Sequence, residues 1–378
     1  MSFSTSAPGR LCLFGEHQDY LGFPVVTLAV DRRVRVDVVP TGDHVVQVST
    51  PDVGGCRKID LREDPVPRSH DRDYLAGAVN VLRREGVELG RTAGFDATVT
   101  GSVPINAGMS SSSALVVAWL HALLTRAGRS VEPGELARLG YLTEVVEFGE
   151  AGGMMDHFSA ALGGLLFLET SPSFVPRPLP VPDDRVTFVV GNSEEKKSTV
   201  DDLRRVKSAA QAGFEALADA MAEVDEKFDP KATPFEVAEA FVERVPARLR
   251  PFVLGNLANR DLTRAATRLL ERRPVAWPRV GALLNQHHAV LRDSLGVSTA
   301  KIEATLRAAK QSGALGGKIN GSGFGGTCFV VVPNEPEKVV AVREAMESEG
   351  CDAFVVAPSG GSVVVSYGDR GSGSPAST

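Results

Sequence analysis

Residues 7–22 read Ala-Pro-Gly-Arg-Leu-Cys-Leu-Phe-Gly-Glu-His-Gln-Asp-Tyr-Leu-Gly, placing a fixed cation, Arg10, and a Glu16/His17/Asp19 cluster around one glycine turn. Leu11 and Leu13 alternate with Arg10 and Cys12. This is a short strand pattern, and it stops at Gly15, where a strand end can present polar side chains to a cleft. Glu16, His17 and Asp19 together can accept hydrogen bonds from several vicinal hydroxyls, as holding a polyol or sugar requires. On this segment alone, an exposed turn with incidental charge is an equally good reading.

Two further stretches change that balance. Residues 104–115, Pro-Ile-Asn-Ala-Gly-Met-Ser-Ser-Ser-Ser-Ala-Leu, run into the apolar helical stretch 115–124. A small-residue loop opening a helix leaves backbone N–H groups unpaired and aimed at one place, with the positive end of the helix dipole behind them. That predicts a phosphate cradle, in which one serine can also ligate Mg²⁺. A helix cap needs one serine, not four in a row. Residues 318–326, Lys-Ile-Asn-Gly-Ser-Gly-Phe-Gly-Gly, precede the apolar run 327–332, and their glycines allow backbone to approach a ligand closely or take positive φ. Neither loop fits the Walker-type spacing, and the third lacks the strand-before, helix-after context of a dinucleotide fold.

The 378 residues, 43% hydrophobic and 6% aromatic, can bury one large or two ordinary cores, and two domains are expected. A net charge of −6 with no recurring basic stripe argues against nucleic acid or anionic membrane as a partner. Cys12, Cys56, Cys328 and Cys351 are too scattered for a disulfide framework and read as reduced, mostly buried residues. No basic and apolar leader opens the chain and no apolar run approaches about 18 residues, so a cytoplasmic protein is expected.

Alternation at Val34, Val36 and Val38, the turn Thr41-Gly42-Asp43, and residues 44–49 predict a hairpin. A strand is predicted at Phe95, Ala97 and Val99, helices at about 113–127 and 134–147, and a strand over 164–169 that closes the first half. The Pro-rich stretch 171–184 is the expected linker, dividing an N-terminal domain (1–180) from a C-terminal one (181–367). Beyond it come a strand near 186–190, helices to about 312, and strand, helix and two short β runs after the glycine loop. The Gly/Ser-rich tail 368–378 is expected to be disordered.

In this order, the three stretches resemble the three motifs of the GHMP small-molecule kinase superfamily, and the first is similar to the galactokinase signature Pro-Gly-Arg-x-x-x-x-Gly-Glu-His-x-Asp-Tyr. Residues 291–298, Leu-Arg-Asp-Ser-Leu-Gly-Val-Ser, extend the resemblance to most of the chain. It implies an α+β, two-domain GHMP kinase architecture, with a ribosomal-protein-S5-like N-terminal domain, a ferredoxin-like C-terminal one and the active site between them. It also implies ATP as co-substrate, Mg²⁺ as cofactor, a small-molecule sugar as acceptor and a monomer or weak dimer.

Residue by residue, the resemblance implies Arg10 and Asp156 as catalytic, the latter from Gly152-Gly153-Met154-Met155-Asp156-His157-Phe158, similar to the galactokinase Cys-Gly-Ile-Met-Asp-Gln-Phe. Twelve residues upstream, Glu144 matches the Mg²⁺-binding glutamate; the metal-binding serine falls at Ser112, or at Ser113 if the register slips. Glu16, His17, Asp19 and Gly153 match sugar ligands, and Gly108, Ser110, Ser111, Ser112, Ser113 and Gly323 fall at the ATP loops. His157, His287 and His288 carry no motif and read as structural.

The departures concern the acceptor. Gln18 stands where galactokinases carry Thr, Leu21 and Phe23 replace an Asn and a Gly, and Asp201 falls where a sugar-contacting Tyr is usual. An ATP-dependent kinase acting on the anomeric hydroxyl of an aldose follows, with galactose first, then other hexoses, L-arabinose, uronic acids and amino sugars. A kinase of the mevalonate or heptose phosphate branch, or a non-catalytic sugar and nucleotide sensor, are the alternatives.

Overall fold

The computed structural model describes residues 1–89, 94–170, 174–195 and 199–367, without the side chains of 199–202. Its first part contains β1 (Phe3–Phe14), β2 (Val25–Pro40), β3 (Val45–Thr50), β4 (Gly55–Asp60), α1 (Tyr74–Arg84), β5 (Phe95–Gly101), α2 (Ser111–Arg126), α3 (Pro133–Tyr141), α4 (Met155–Leu162), β6 (Leu165–Glu169) and β7 (Val175–Leu179). The second contains β8 (Val186–Asn192), α5 (Thr199–Ala222), α6 (Phe235–Phe241), α7 (Arg250–Leu270), α8 (Trp277–Asp293), α9 (Ala300–Gln311), β9 (Gly316–Ile319), β10 (Thr327–Pro333), α10 (Pro336–Ser348), β11 (Asp352–Val356) and β12 (Val363–Ser366).

The first sheet runs β12-β1-β2-β5-β3-β4, with β6 on β2 and β7 on β6; the second runs β11-β8-β10-β9. Helices mixed in this way with largely antiparallel sheets form the expected α+β architecture. Nearly all of β1 is buried. The alternation at 10–13 therefore separates two covered faces rather than core from solvent. Leu11, Cys12 and Leu13 all join the core, and the Cys12 backbone N–H donates to Asn320 of the C-terminal part.

Three readings need correction. β2 and β3 do not pair as a hairpin, because β5 lies between them, antiparallel to β2 (Val36↔Val99) and parallel to β3 (Val46↔Phe95). A four-residue link reaches about 13 Å, enough to cross the roughly 9.5 Å of one intervening strand. The Pro-rich stretch is not simply a linker: β7 pairs with β6, with Pro178 opposite Leu166 and Pro176 opposite Leu168. Proline is tolerated there because β7 is an edge strand, whose outward positions need no donor. Finally, β12, placed by its sequence in the C-terminal half, pairs antiparallel with β1 in the first sheet (Phe3↔Ser366). The tail 368–378 lies outside the described residues.

Candidate active site

The cleft forms where the end of β1, the loop opening α2 and the start of α4 meet the turn at 321–322. Arg10 leaves β1 toward α4. Its Nε donates to Asp156 Oδ1 at 2.7 Å and Nη2 to Oδ2 at 3.0 Å, a bidentate pair, while Nη1 donates to the Gly108 carbonyl at 2.6 Å. The Arg10 side chain is 4% exposed and that of Asp156 is 27% exposed, so the carboxylate alone opens to the cleft. A planar guanidinium with all three nitrogens engaged fixes that carboxylate in one orientation.

Gly15 (φ +101°) and His17 (φ +60°) turn the chain sharply after β1, and a short 3₁₀ turn follows over Asp19–Leu21. Asp19 is buried and accepts from the N–H groups of Tyr20 (2.9 Å) and Met155 (3.3 Å). A Cβ at Gly153 would overlap the Asp19 carboxylate, so glycine here is what lets the two segments touch. Burial, reinforced by the nearby charge of Asp156, pushes the Asp19 carboxyl up to about 6.

Glu16 and His17 both line the cleft and are also held by partners within the protein. Glu16 is ion-paired through Oε1 with the fully buried Lys318 of β9, leaving Oε2 without a hydrogen-bond partner. His17 lines the cleft, but its Nε2 lies 3.0 Å from the Ser322 carbonyl and Nδ1 lies 2.8 Å from the Tyr20 hydroxyl. Since a carbonyl only accepts, Nε2 donates and Nδ1 accepts from Tyr20. Both ring nitrogens are thus engaged with protein, and His17 ties the first motif to the third.

Ser110, Ser111, Ser112 and Ser113 all face the cleft with Gly108. Ser110 adopts a left-handed conformation before the first turn of α2, and its buried Oγ has no hydrogen-bond partner. Opposite, α3 widens into a π-helical turn over Leu142–Val146 that carries Glu144. Burial alone would push the Glu144 carboxyl up; the hydrogen bond and charge of His157, with the hydroxyls of Ser112 and Ser113, outweigh it and hold the group below its ordinary value. His157 Nε2 lies 2.8 Å from Glu144 Oε2. One carboxylate flanked by hydroxyls at a phosphate loop suits Mg²⁺, a hard ion that takes few protein ligands and relies on water and substrate phosphates. Among the described residues no group of three or more His, Cys, Asp or Glu could hold a metal by itself.

The third stretch takes the positive φ that its glycines allow, at Gly321, Gly323, Gly325 and Gly326. Gly321 and Ser322 line the cleft, but Gly323 does not. A Cβ on Gly323 (φ +81°) would lie 2.5 Å from the Val297 carbonyl oxygen, and one on Gly321 (φ +74°) 2.7 Å from that of Gly108. Both glycines are thus packed closely against backbone of another segment. Asp201 falls in the first turn of α5, and its side chain is outside the described ones.

Sequence reasoning missed Lys318 and Asn320. Asn320 accepts from the Cys12 N–H (2.9 Å) and donates to the Gly108 carbonyl (2.9 Å), joining all three motifs. It also missed the wall formed by Arg72, Tyr74 and Glu150, where Arg72 Nε and the Tyr74 hydroxyl converge on Glu150 Oε1. The signal for Lys318 was present, a lysine set among Gly, Ile and an apolar strand. Its partner was not readable locally.

Residues 73–164 match the GHMP kinases N terminal domain, 269–353 the GHMP kinases C terminal domain, and 2–40 the galactokinase galactose-binding signature. The chain is similar to the galactokinase of Streptomyces coelicolor, 30% identical over 380 residues covering 97% of this chain and 93% of that one. It is also similar to the mevalonate kinase of Pyrococcus furiosus, 27% identical over 357 residues, 91% and 94% of the two chains. Its fold matches that of Lactococcus lactis galactokinase complexed with galactose, with a TM-score of 0.84, 22% identity and coverage of 96% and 95%. The chain belongs to the GHMP kinases, enzymes that use ATP as co-substrate. Within that superfamily it is galactokinase-like.

Proposed function

We propose that this kinase transfers the γ-phosphoryl group of ATP to the anomeric hydroxyl of an aldose, with galactose the first acceptor to test. The observation that carries the reading is the pair of carboxylates in one cleft. Asp156 is locked by Arg10, and Asp19, which lies inside the segment 2–40 that matches a galactose-binding signature, by two backbone N–H groups. Asp19, which lines the cleft, offers an acceptor to ring hydroxyls, and Glu16 lies beside it on the same wall.

In the proposed reaction the acceptor oxygen attacks the γ-phosphorus and its proton passes to Asp156, while the bond to the β–γ bridging oxygen breaks and ADP leaves. Arg10 holds both oxygens of Asp156 and so orients it. The N–H groups and hydroxyls at the start of α2 hold the phosphates. Glu144 with Ser112 or Ser113 would hold Mg²⁺, which when bound supplies neutralisation of phosphate charge.

The similarity to mevalonate kinases supplies the second reading. An ADP-release assay on galactose, other hexoses, L-arabinose, uronic acids, amino sugars, sugar phosphates and mevalonate separates the two. Turnover on a neutral aldose is expected. Turnover confined to mevalonate or a sugar phosphate overturns the reading, and binding without turnover on every compound favours a sensor.

A further inference from the structure

The three residues at which the sugar turn departs from the galactokinase signature do not face the cleft. Gln18, Leu21 and Phe23 point backward, into the helices of the C-terminal part. Gln18 is fully buried and its Nε2 donates to the Asn256 carbonyl of α7 at 2.7 Å. Phe23 is likewise fully buried among Leu217 and Met221 of α5 and Val253 and Leu257 of α7, with its ring edge-to-face on Phe214 at 5.7 Å. Leu21 packs against the same cluster. On the cleft side α5 returns to the turn, with Leu203 lining the cleft and Lys207 Nζ 5.3 Å from the Tyr20 ring centroid.

The turn bearing Asp19 is therefore gripped between β1 and a helical layer, and that layer forms part of the acceptor wall. A Thr and a Gly at positions 18 and 23 could supply neither the long amide donor nor the aromatic anchor. We infer that Gln18, Leu21 and Phe23 are positioning residues for acceptor selectivity, fixing the gap between Asp19 and α5 in which the acceptor is read. They act through Asp19 and Leu203, leaving Arg10, Asp156 and the serine loop untouched. Because the serine loop is held by other contacts, loosening this grip acts on acceptor and nucleotide unequally.

The inference rests on the acceptor lying at Asp19, as proposed above. Its test is a two-substrate kinetic analysis of Gln18→Met, Phe23→Leu and Phe23→Ala. Met matches the length of Gln without the donor, and Leu keeps the apolar anchor. For Phe23→Ala and Gln18→Met the acceptor KM is expected to rise about tenfold or more, with ATP KM and saturated turnover within about threefold of the parent. Selectivity between the best acceptor and its epimer falls, and Phe23→Leu restores most of it. Equal rises in both KM values, or an unchanged acceptor KM and selectivity in variants of unchanged melting temperature, overturn the inference. If Phe23→Ala does not fold, Gln18→Met decides alone. Failure of the sugar reading appears separately, as absence of aldose turnover in the parent enzyme, and the KM comparison then runs on whichever acceptor the panel identifies.

Discussion

The loop opening α2 and the glycine loop between β9 and β10 look alike as sequence, each a run of small residues beside an apolar element, yet they use smallness oppositely. In the first, the serines line the cleft and Ser110 keeps a buried hydroxyl unpartnered. In the second, Gly321 abuts the Gly108 carbonyl, Gly323 the Val297 carbonyl and Gly325 the Glu195 side chain, whose Cβ would lie 2.8 Å from an added methyl. The first loop lines the cleft along its serines; the second reaches the cleft at Gly321 and Ser322, and its glycines let parts of the protein touch. Small residues report a close approach without saying what approaches.

That contrast predicts two classes of variant: turnover lost at constant stability on the ligand side, and stability lost at constant ligand affinity on the contact side. The largest effect is expected for Asp156→Asn, which keeps the shape and removes the proton acceptor. Turnover should fall about 10³-fold, with ATP affinity and melting temperature little changed. Near-normal turnover would remove Asp156 as base. Arg10→Lys should fail as well, since an ammonium cannot span both carboxylate oxygens and the Gly108 carbonyl.

Glu144→Gln should lower turnover about 10²-fold and weaken the dependence on divalent cation, while isothermal titration shows acceptor affinity retained. Full activity at limiting Mg²⁺ would take Glu144 out of the site. On the contact side, Gly323→Ala should cost about 2 kcal/mol or more in a denaturant titration, because it forces a side chain into a left-handed conformation against the Val297 carbonyl. Its nucleotide KM should hold. Lost nucleotide affinity at unchanged stability would instead make the two loops alike.

The smallest effect is a pH profile. With the Asp19 carboxyl raised to about 6, mainly by burial and then by Asp156, the group is ionised above that pH and protonated below it. The acceptor term kcat/KM should fall by about tenfold per pH unit below 6, and Asp19→Asn should flatten that limb. For stability the sign is opposite: protonated Asp19 favours the fold below the ordinary carboxyl range, and this contribution is lost as pH rises through about 6. A limb that persists in Asp19→Asn assigns it to another group.

Most of the site was legible because its chemistry is concentrated in short motifs. Arg10, Asp19 and Asp156 meet as their residue types require. What stayed hidden depends on long-range pairing. Val34–Val38 and the strand at 45–50 carry a hairpin's alternation, and nothing local announces that β5 enters between them. The prolines at 176 and 178 disfavour a strand except at an edge, and edges are a property of the whole sheet. The ion pair of Glu16 with Lys318 and the engagement of both His17 nitrogens arise only when distant segments close on each other.

The pairing of β12 with β1 carries a consequence for how the chain reaches this state. β1 emerges first among the described elements and β12 last, so the outer edge of β1 at Phe3–Ser6 stays bare throughout synthesis of everything between. Closing that register spans almost the whole described sequence, the kind of contact whose loop entropy slows folding most. The nascent enzyme therefore exposes an unpaired strand edge for longer than either sheet alone would require, and it is during that interval, rather than in the finished fold, that it is most open to aggregation or capture by a chaperone.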